Sequence, residues 1–308
     1  MSMAPINRRE ALGIAGGAAA LAAFPELAMG AASPRMIAKP IPSSGEMLPV
    51  VGVGTYLTFD VGLSAEERAR LTKVLGILFD AGGRMIDSSP MYGRSEGAAG
   101  TLLEAMGARR KAFIATKVWT RGRAEGIAQM QRSLKRFRTD KIELMQVHNL
   151  LDWRTQLKTL RAWKEKGVFK YIGITHYSSG TWRELAKILK AEPIDFVQFP
   201  YSIVNREAEP LLDVARETKT AVITHLNFER GRLFRKVRGV RVPPWAGEFG
   251  CRSWGQFFLK FVLAHPASSA VIPGTSRVKH MIDNVQAGMG GLPDARQAAR
   301  MIKVIEDI

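Results

Sequence analysis

R-M-I-D-S-S-P-M-Y-G, residues Arg84 to Gly93, reads as an apolar strand that ends in an aspartate and runs into a turn carrying a tyrosine. Two later runs have the same form. A-F-I-A-T-K-V-W (Ala112 to Trp119) ends near Lys117, and I-E-L-M-Q-V-H-N (Ile142 to Asn149) ends at His148. Segments of helical period lie between them. Extended outward, the pattern predicts strands near 50–54, 84–87, 112–117, 142–147, 170–174, 195–199, 220–224 and 269–272. Helices are expected near 65–81, 95–106, 123–137, 154–166, 180–190, 207–217, 253–264 and 277–287. Strands alternating with helices of this length predict a parallel sheet, and eight units predict closure into an α/β (β/α)8 TIM barrel. An open doubly wound sheet would want a G-x-G-x-x-G turn after its first strand, and G-V-G-T (Gly52 to Thr55) lacks the third glycine. P-I-P-S-S-G-E-M-L-P (Pro40 to Pro49) carries a Ser44-Gly45 turn between two extended runs, which predicts a short hairpin capping the barrel floor.

The chain has 308 residues, 46% of them hydrophobic, which suits one large core. A single cysteine, Cys251, rules out an intramolecular disulfide. The formal net charge is +17, with no zinc-finger spacing and no aromatic-basic alternation, so no nucleic-acid partner is expected. The densest basic stretch, R-L-F-R-K-V-R-G-V-R (Arg232 to Arg241), is either a solvated loop, a funnel for an anionic cofactor or substrate, or a contact for an anionic membrane surface. It lies in the longest connection, about 226–252, where a loop of that length reads as a lid over the mouth.

Residues 1–32 read as an address. Arg8-Arg9 precedes a weakly apolar Gly/Ala-rich stretch with small residues near Gly30 to Ala32, the pattern of a twin-arginine signal peptide. The segment holds Arg8, Arg9, Glu10 and Glu26, so its removal leaves the charge of the rest unchanged. The expectation is a single barrel domain over 33–308, folded in the cytoplasm, passed to the twin-arginine export machinery and delivered to the periplasm or beyond.

On a repeating β/α barrel the groups after successive strands open on one face. Asp87, Tyr92, Lys117 and His148 should therefore converge. A tyrosine is a weak acid, and an ammonium group nearby favours its phenolate and lowers its pKa. Lys117, held by Asp87, is the candidate ammonium. Tyr92 could then protonate a developing alkoxide while His148 orients the carbonyl. No side chain can supply a hydride, so a reduced nicotinamide is required.

On these motifs the chain resembles the aldo-keto reductase superfamily across residues 36–290. The aspartate and tyrosine stand in M-I-D-S-S-P-M-Y-G-R-S-E, the lysine in A-T-K-V-W and the histidine in L-M-Q-V-H-N. The resemblance implies NADPH, with NADH possible, bound without a Rossmann fold, and Tyr92 as general acid reducing an aldehyde or ketone. It places Thr175 and His176 after the fifth strand, Gln198 after the sixth, and His225, Leu226, Asn227 and Phe228 after the seventh, all toward the cofactor. I-P-G-T-S-R-V-K-H-M-I-D-N would bind the adenosine phosphate end through Gly274, Thr275, Ser276, Arg277 and His280, with Asp283 and Asn284 at the adenine. Tyr56 and Trp119 would wall the substrate pocket. His176 and His225 depart from the family's amide and aromatic. With His148 they raise a rival, a zinc hydrolase with three histidine ligands. A non-catalytic exported barrel that binds a ligand or partner is a third reading. No metal is expected under the favoured one.

Overall fold

The computed structural model describes residues 35–308; the expected signal segment, 1–32, lies outside them. The chain begins with the antiparallel hairpin β1 (Ala38–Pro40) and β2 (Met47–Pro49). Eight parallel strands follow: β3 (Val53–Gly54), β4 (Met85–Asp87), β5 (Phe113–Val118), β6 (Ile142–Val147), β7 (Phe169–Thr175), β8 (Phe196–Pro200), β9 (Ala221–His225) and β10 (Ser268–Val271). Each pairs with the next in sequence order. The barrel closes through parallel bridges Val51 to Val271 and Gly54 to Gly274. The expected (β/α)8 barrel is the fold. Its first strand is shorter than the expected 50–54, because residues 50–52 join the barrel only through the closing bonds to Val271.

The helices after the strands are α1 (Ala65–Asp80), α2 (Ser95–Ala105), α3 (Arg123–Phe137), α4 (Trp153–Glu165), α5 (Trp182–Ala191) and α6 (Glu209–Glu217). A short α7 (Arg232–Lys236), α8 (Trp254–Ala264), α9 (Val278–Gln286) and α10 (Ala295–Glu306) complete the set. Two elements were not anticipated. One is α10, although D-A-R-Q (Asp294 to Gln297) is a capping box with both reciprocal bonds made. The other is the local structure of the 226–252 connection, which holds α7 and a 3₁₀ turn at Pro244–Phe249. Trp245 from that turn stacks edge-on with Phe257 of α8 and under the Arg300 guanidinium of α10.

Strand parity divides the core in two. Met85, Phe113, Ala115, Leu144, Tyr171, Phe196, Ala221 and Ile223 fill the barrel interior, and Ile41 and Leu48 from the hairpin plug its floor. The alternate residues, such as Ile86, Ile114, Met145, Ile172, Val197 and Val222, pack outward against the helices. Because side chains alternate faces along a strand, the next interior positions toward the mouth are Asp87, Lys117, Gln146, Thr175, Gln198 and His225. The polar groups gather because they share one phase with the apolar layer beneath them.

Helix packing over this core is tight at one glycine and loose at another. A Cβ on Gly100 of α2 would fall 2.1 Å from the Arg136 carbonyl oxygen and 2.7 Å from Phe137 Cα, both backbone atoms of α3. A Cβ on Gly76 of α1 meets nothing within 4 Å. Gly100→Ala should destabilise the protein by about 2–3 kcal/mol through forced separation of α2 and α3. Gly76→Ala should stabilise it by about 0.5–1 kcal/mol, the ordinary helix preference for alanine. Urea denaturation of the two variants checks the opposite signs.

Candidate active site

Asp87 ends β4 and Lys117 lies one residue from the end of β5. The Lys117 ammonium donates to both Asp87 oxygens, at 2.9 and 2.8 Å, and to the Ser88 carbonyl at 2.7 Å. All three of its protons are thereby engaged. Burial pushes the Asp87 carboxyl up and the Lys117 ammonium down, and the partner's charge opposes each shift. Gln198 of β8 donates to Asp87 at 3.4 Å and accepts from Gln146 of β6 at 2.9 Å. Gly173 of β7 leaves room for that amide pair, since a Cβ there would meet Gln146 Cγ at 2.9 Å. Gln146 and Ser88 were not singled out from sequence. Gln146 was findable, because it stands two residues from both Leu144 and His148 on the interior face.

Tyr92 sits in the turn between β4 and α2, with Lys117 Nζ 5.3 Å from its ring centroid. The expected lowering of its pKa is reversed. Burial, the Asp87 charge and the neighbouring Tyr56 all push the phenol up, above an ordinary tyrosine. The Asp87 carboxylate lies against the ammonium and cancels most of its field. Tyr92 is therefore held as a neutral phenol with its proton in place. An alkoxide is a far stronger base than a phenolate, so a neutral phenol can still protonate one.

His148 follows β6 and stands edge-on to Tyr92, centroids 5.9 Å apart. Its Nδ1 lies 3.0 Å from the Ser89 hydroxyl. Burial, then the Lys117 charge, pulls its pKa down to about 2. Tyr56, 4.9 Å from Tyr92, and Trp119, 6.4 Å from His148, extend the arc of rings outward. Both are exposed.

Of the residues expected to meet a cofactor, Thr175 and Gln198 are buried at the interior rim. His176 stacks on Tyr177 and accepts the Ser178 N–H at Nδ1. His225, with its pKa lowered to about 3 by burial, carries a buried Nδ1 without a partner. Asn227 donates to Tyr201 O and Thr224 Oγ1, each at 3.0 Å, and leaves its buried Oδ1 without a partner. Leu226 lines a surface cavity of about 470 Å³ together with Glu229, Arg230, Arg232 and Arg235. The Phe228 ring packs against Phe234 at 4.9 Å and toward Phe258 of α8. The two oxygens of Asp283 accept from Ser253 Oγ and Gln256 Nε2 at the start of α8, each at 2.8 Å. Asn284 is buried beside it.

Gly274, Thr275 and Ser276 form the turn before α9, where Thr275 Oγ1 accepts the Arg277 N–H at 3.0 Å. Arg277, Lys279 and His280 crowd the N-terminus of α9, with no acidic residue in its first turn. Cations are unfavourable at that end of a helix unless an anion joins them. The cations and the turn at the N-terminus of α9 suit an anion such as a dinucleotide phosphate, whereas the orphaned Asn227 Oδ1 is an acceptor and suits a donor on an uncharged part of a ligand. Three histidines do not make a metal site: among the described residues no group of three His, Cys, Asp or Glu side chains could hold an ion.

Fold and mouth together define a parallel (β/α)8-barrel protein of the enzyme kind, with its ionisable groups gathered at the C-terminal ends of the strands. The pattern of the Aldo/keto reductase family matches residues 50–305, and the chain belongs to that family. It is similar to aldo-keto reductase YhdN of Bacillus subtilis, 26% identical over 206 residues, 61% of this chain. The chain spans 60% of the length of YhdN. It is also similar to the NADP(+)-designated aldo-keto reductase yakc of Schizosaccharomyces pombe, 26% identical over 296 residues covering 81% of this chain and 86% of that one. Among solved structures, an aldo/keto reductase of Klebsiella pneumoniae in complex with NADP and acetate superposes with a TM-score of 0.71 at 20% identity. That match covers 85% of this chain and 93% of the other. The holo form of an aldo-keto reductase from Bacillus halodurans gives 0.72 at 21%, covering 88% and 96%. These two likenesses are likenesses of fold.

The buried histidines set a pH dependence of stability. His148 and His225 have folded pKa values near 2 and 3 against an ordinary 6.5. Below about pH 6.5 the unfolded chain takes up protons that the folded chain refuses. Their contribution is thus complete above pH 6.5 and lost as pH falls toward 3. Urea midpoints should drop between pH 7 and pH 4, and a His148→Gln/His225→Gln double variant should flatten that slope. An unchanged slope in the double variant would contradict the assignment.

Proposed function

We propose that the protein reduces an aldehyde or ketone to an alcohol with NADPH, using Tyr92 as the proton donor. The observation that carries this is a neutral, half-buried phenol set edge-on to a neutral imidazole, above an ammonium group whose protons are all engaged. A bound reduced nicotinamide would supply the hydride that no side chain here can provide. The carbonyl oxygen then has two donors available, the Tyr92 hydroxyl and the free nitrogen of His148. Lys117 and Asp87 act on it indirectly, by position and field. Thr175, His176 and His225 would hold the nicotinamide end, and the Gly274–Arg277 turn the adenosine phosphates. Arg277 favours NADPH over NADH, because a guanidinium matches the 2′-phosphate.

Tyr92→Phe keeps the ring and removes the proton. It should lower kcat by about a hundredfold to ten-thousandfold, with NADPH binding and thermal stability nearly unchanged. Full activity of this variant on every carbonyl compound reduced by the parent would refute the mechanism.

We further propose that the chain is exported by the twin-arginine route and acts outside the cytoplasm as a single barrel domain over 33–308. Support comes from Arg8-Arg9 ahead of a weakly apolar stretch. No helix among the described residues is long and apolar enough to cross a membrane. Cell fractionation with N-terminal sequencing should find a chain starting near Ala31 to Ser33, and replacing both arginines by lysine should leave the precursor inside. An unprocessed chain confined to the cytoplasm would overturn this.

A further inference from the structure

Ser88 and Ser89 are adjacent and both fully buried, yet they do different things. Ser88 gives its carbonyl to Lys117, and its hydroxyl accepts from Thr55 Oγ1 at 2.9 Å. The Ser89 hydroxyl instead meets His148 Nδ1 at 3.0 Å. Pro90 follows Ser89 and biases its backbone to the extended region.

Donor counting assigns the protons. His148 is 6% exposed and stays neutral at ordinary pH, so its ring carries one N–H. Ser89 Oγ has two hydrogen-bonding neighbours among the described residues. Met91 N–H, at 3.4 Å, can only donate to it. His148 Nδ1 is therefore the one acceptor for the hydroxyl proton. If Nδ1 carried the ring proton, Ser89 Oγ would accept from both neighbours and its own buried hydroxyl proton would have no acceptor, a costly arrangement. If Nδ1 is bare, both neighbours of Ser89 are satisfied and the ring proton resides on Nε2.

We infer that Ser89 is a positioning residue which holds His148 in the Nε2–H tautomer, so that a donor and not a lone pair is presented to the substrate oxygen. Its catalytic consequence rests on the carbonyl-reductase reading of this mouth. The Lys117 protons are all engaged, so without Ser89 a fraction of the molecules would offer the carbonyl only the Tyr92 hydroxyl. The other His148 nitrogen would then present a lone pair to the substrate oxygen and repel it.

The test is long-range proton–nitrogen NMR on the full chain labelled with ¹⁵N-histidine, with His148 assigned by its loss in His148→Gln. The parent should show an unprotonated Nδ1 and a protonated Nε2. Ser89→Ala should move His148 toward a mixture of tautomers and lower kcat roughly five- to tenfold, the size of one buried hydrogen bond, with KM little changed and the melting temperature lowered by roughly a few degrees for the buried partners left unpaired. Ser89→Thr, which keeps a hydroxyl, should restore the parent signature. A protonated Nδ1 in the parent overturns the inference. So does a Ser89→Ala protein whose tautomer is unchanged, or one whose tautomer shifts while kcat does not. The signature is read without substrate, so it decides Ser89's hold on the ring even if the reductase reading fails.

Discussion

The ion pair between Asp87 and Lys117 has side chains only 3% and 1% exposed and joins the tops of two neighbouring strands. Charges so deeply buried are tolerable only when paired and hydrogen-bonded. Removing one partner of such a pair costs about 3–5 kcal/mol, because the other is left stranded. The surroundings answer that demand. The Ser88 carbonyl fills the third ammonium position, and Gln198 and Gln146 continue the bonding from β8 to β6. The turn carrying Tyr92 is tied down by the same bond to Ser88. The belt thus links four strands at the rim and fixes what faces the mouth.

The pair also decides the chemistry of its neighbours by what it withholds. A free ammonium beside Tyr92 would draw out the phenol's proton. An ammonium locked to a carboxylate leaves the proton where it is. The same positive charge, felt by the nearby imidazole, helps keep His148 neutral. Both groups therefore rest in the protonation state from which they can donate, and neither must titrate before a turnover.

The architecture was legible because strand and helix periods alternate cleanly, and the convergence of four residues followed from placing them at strand ends. Their support was less legible. Gln146 looks like an ordinary polar residue until strand parity puts it on the inside, where it donates to Gln198. Ser89 looks like a turn residue until its hydroxyl is found on an imidazole. The expectation of a lowered Tyr92 pKa failed because it counted the ammonium and left out the carboxylate bound to it. Phe228 and Asp283 were assigned by position in a motif, which did not reveal their local partners: Phe228 packs with Phe234 of α7 and Phe258 of α8, and Asp283 accepts at the start of α8. The local structure of the 226–252 connection was not legible because its anchors, Trp245 and Arg300, are more than fifty residues apart in sequence.

The closure of the barrel has a mechanical consequence. The first strand is lightly held on both sides: it pairs with β4 at two positions, and the closing edge meets only at Val51 with Val271 and Gly54 with Gly274. The cylinder behaves as a sheet rolled up and pinned along one edge. A backbone held by so few bonds opens before the rest, and the pin lies at the foot of the Gly274–Arg277 turn. A molecule gripped by that turn and by the facing rim would latch the roll, so that occupancy of the rim and integrity of the seam become one equilibrium.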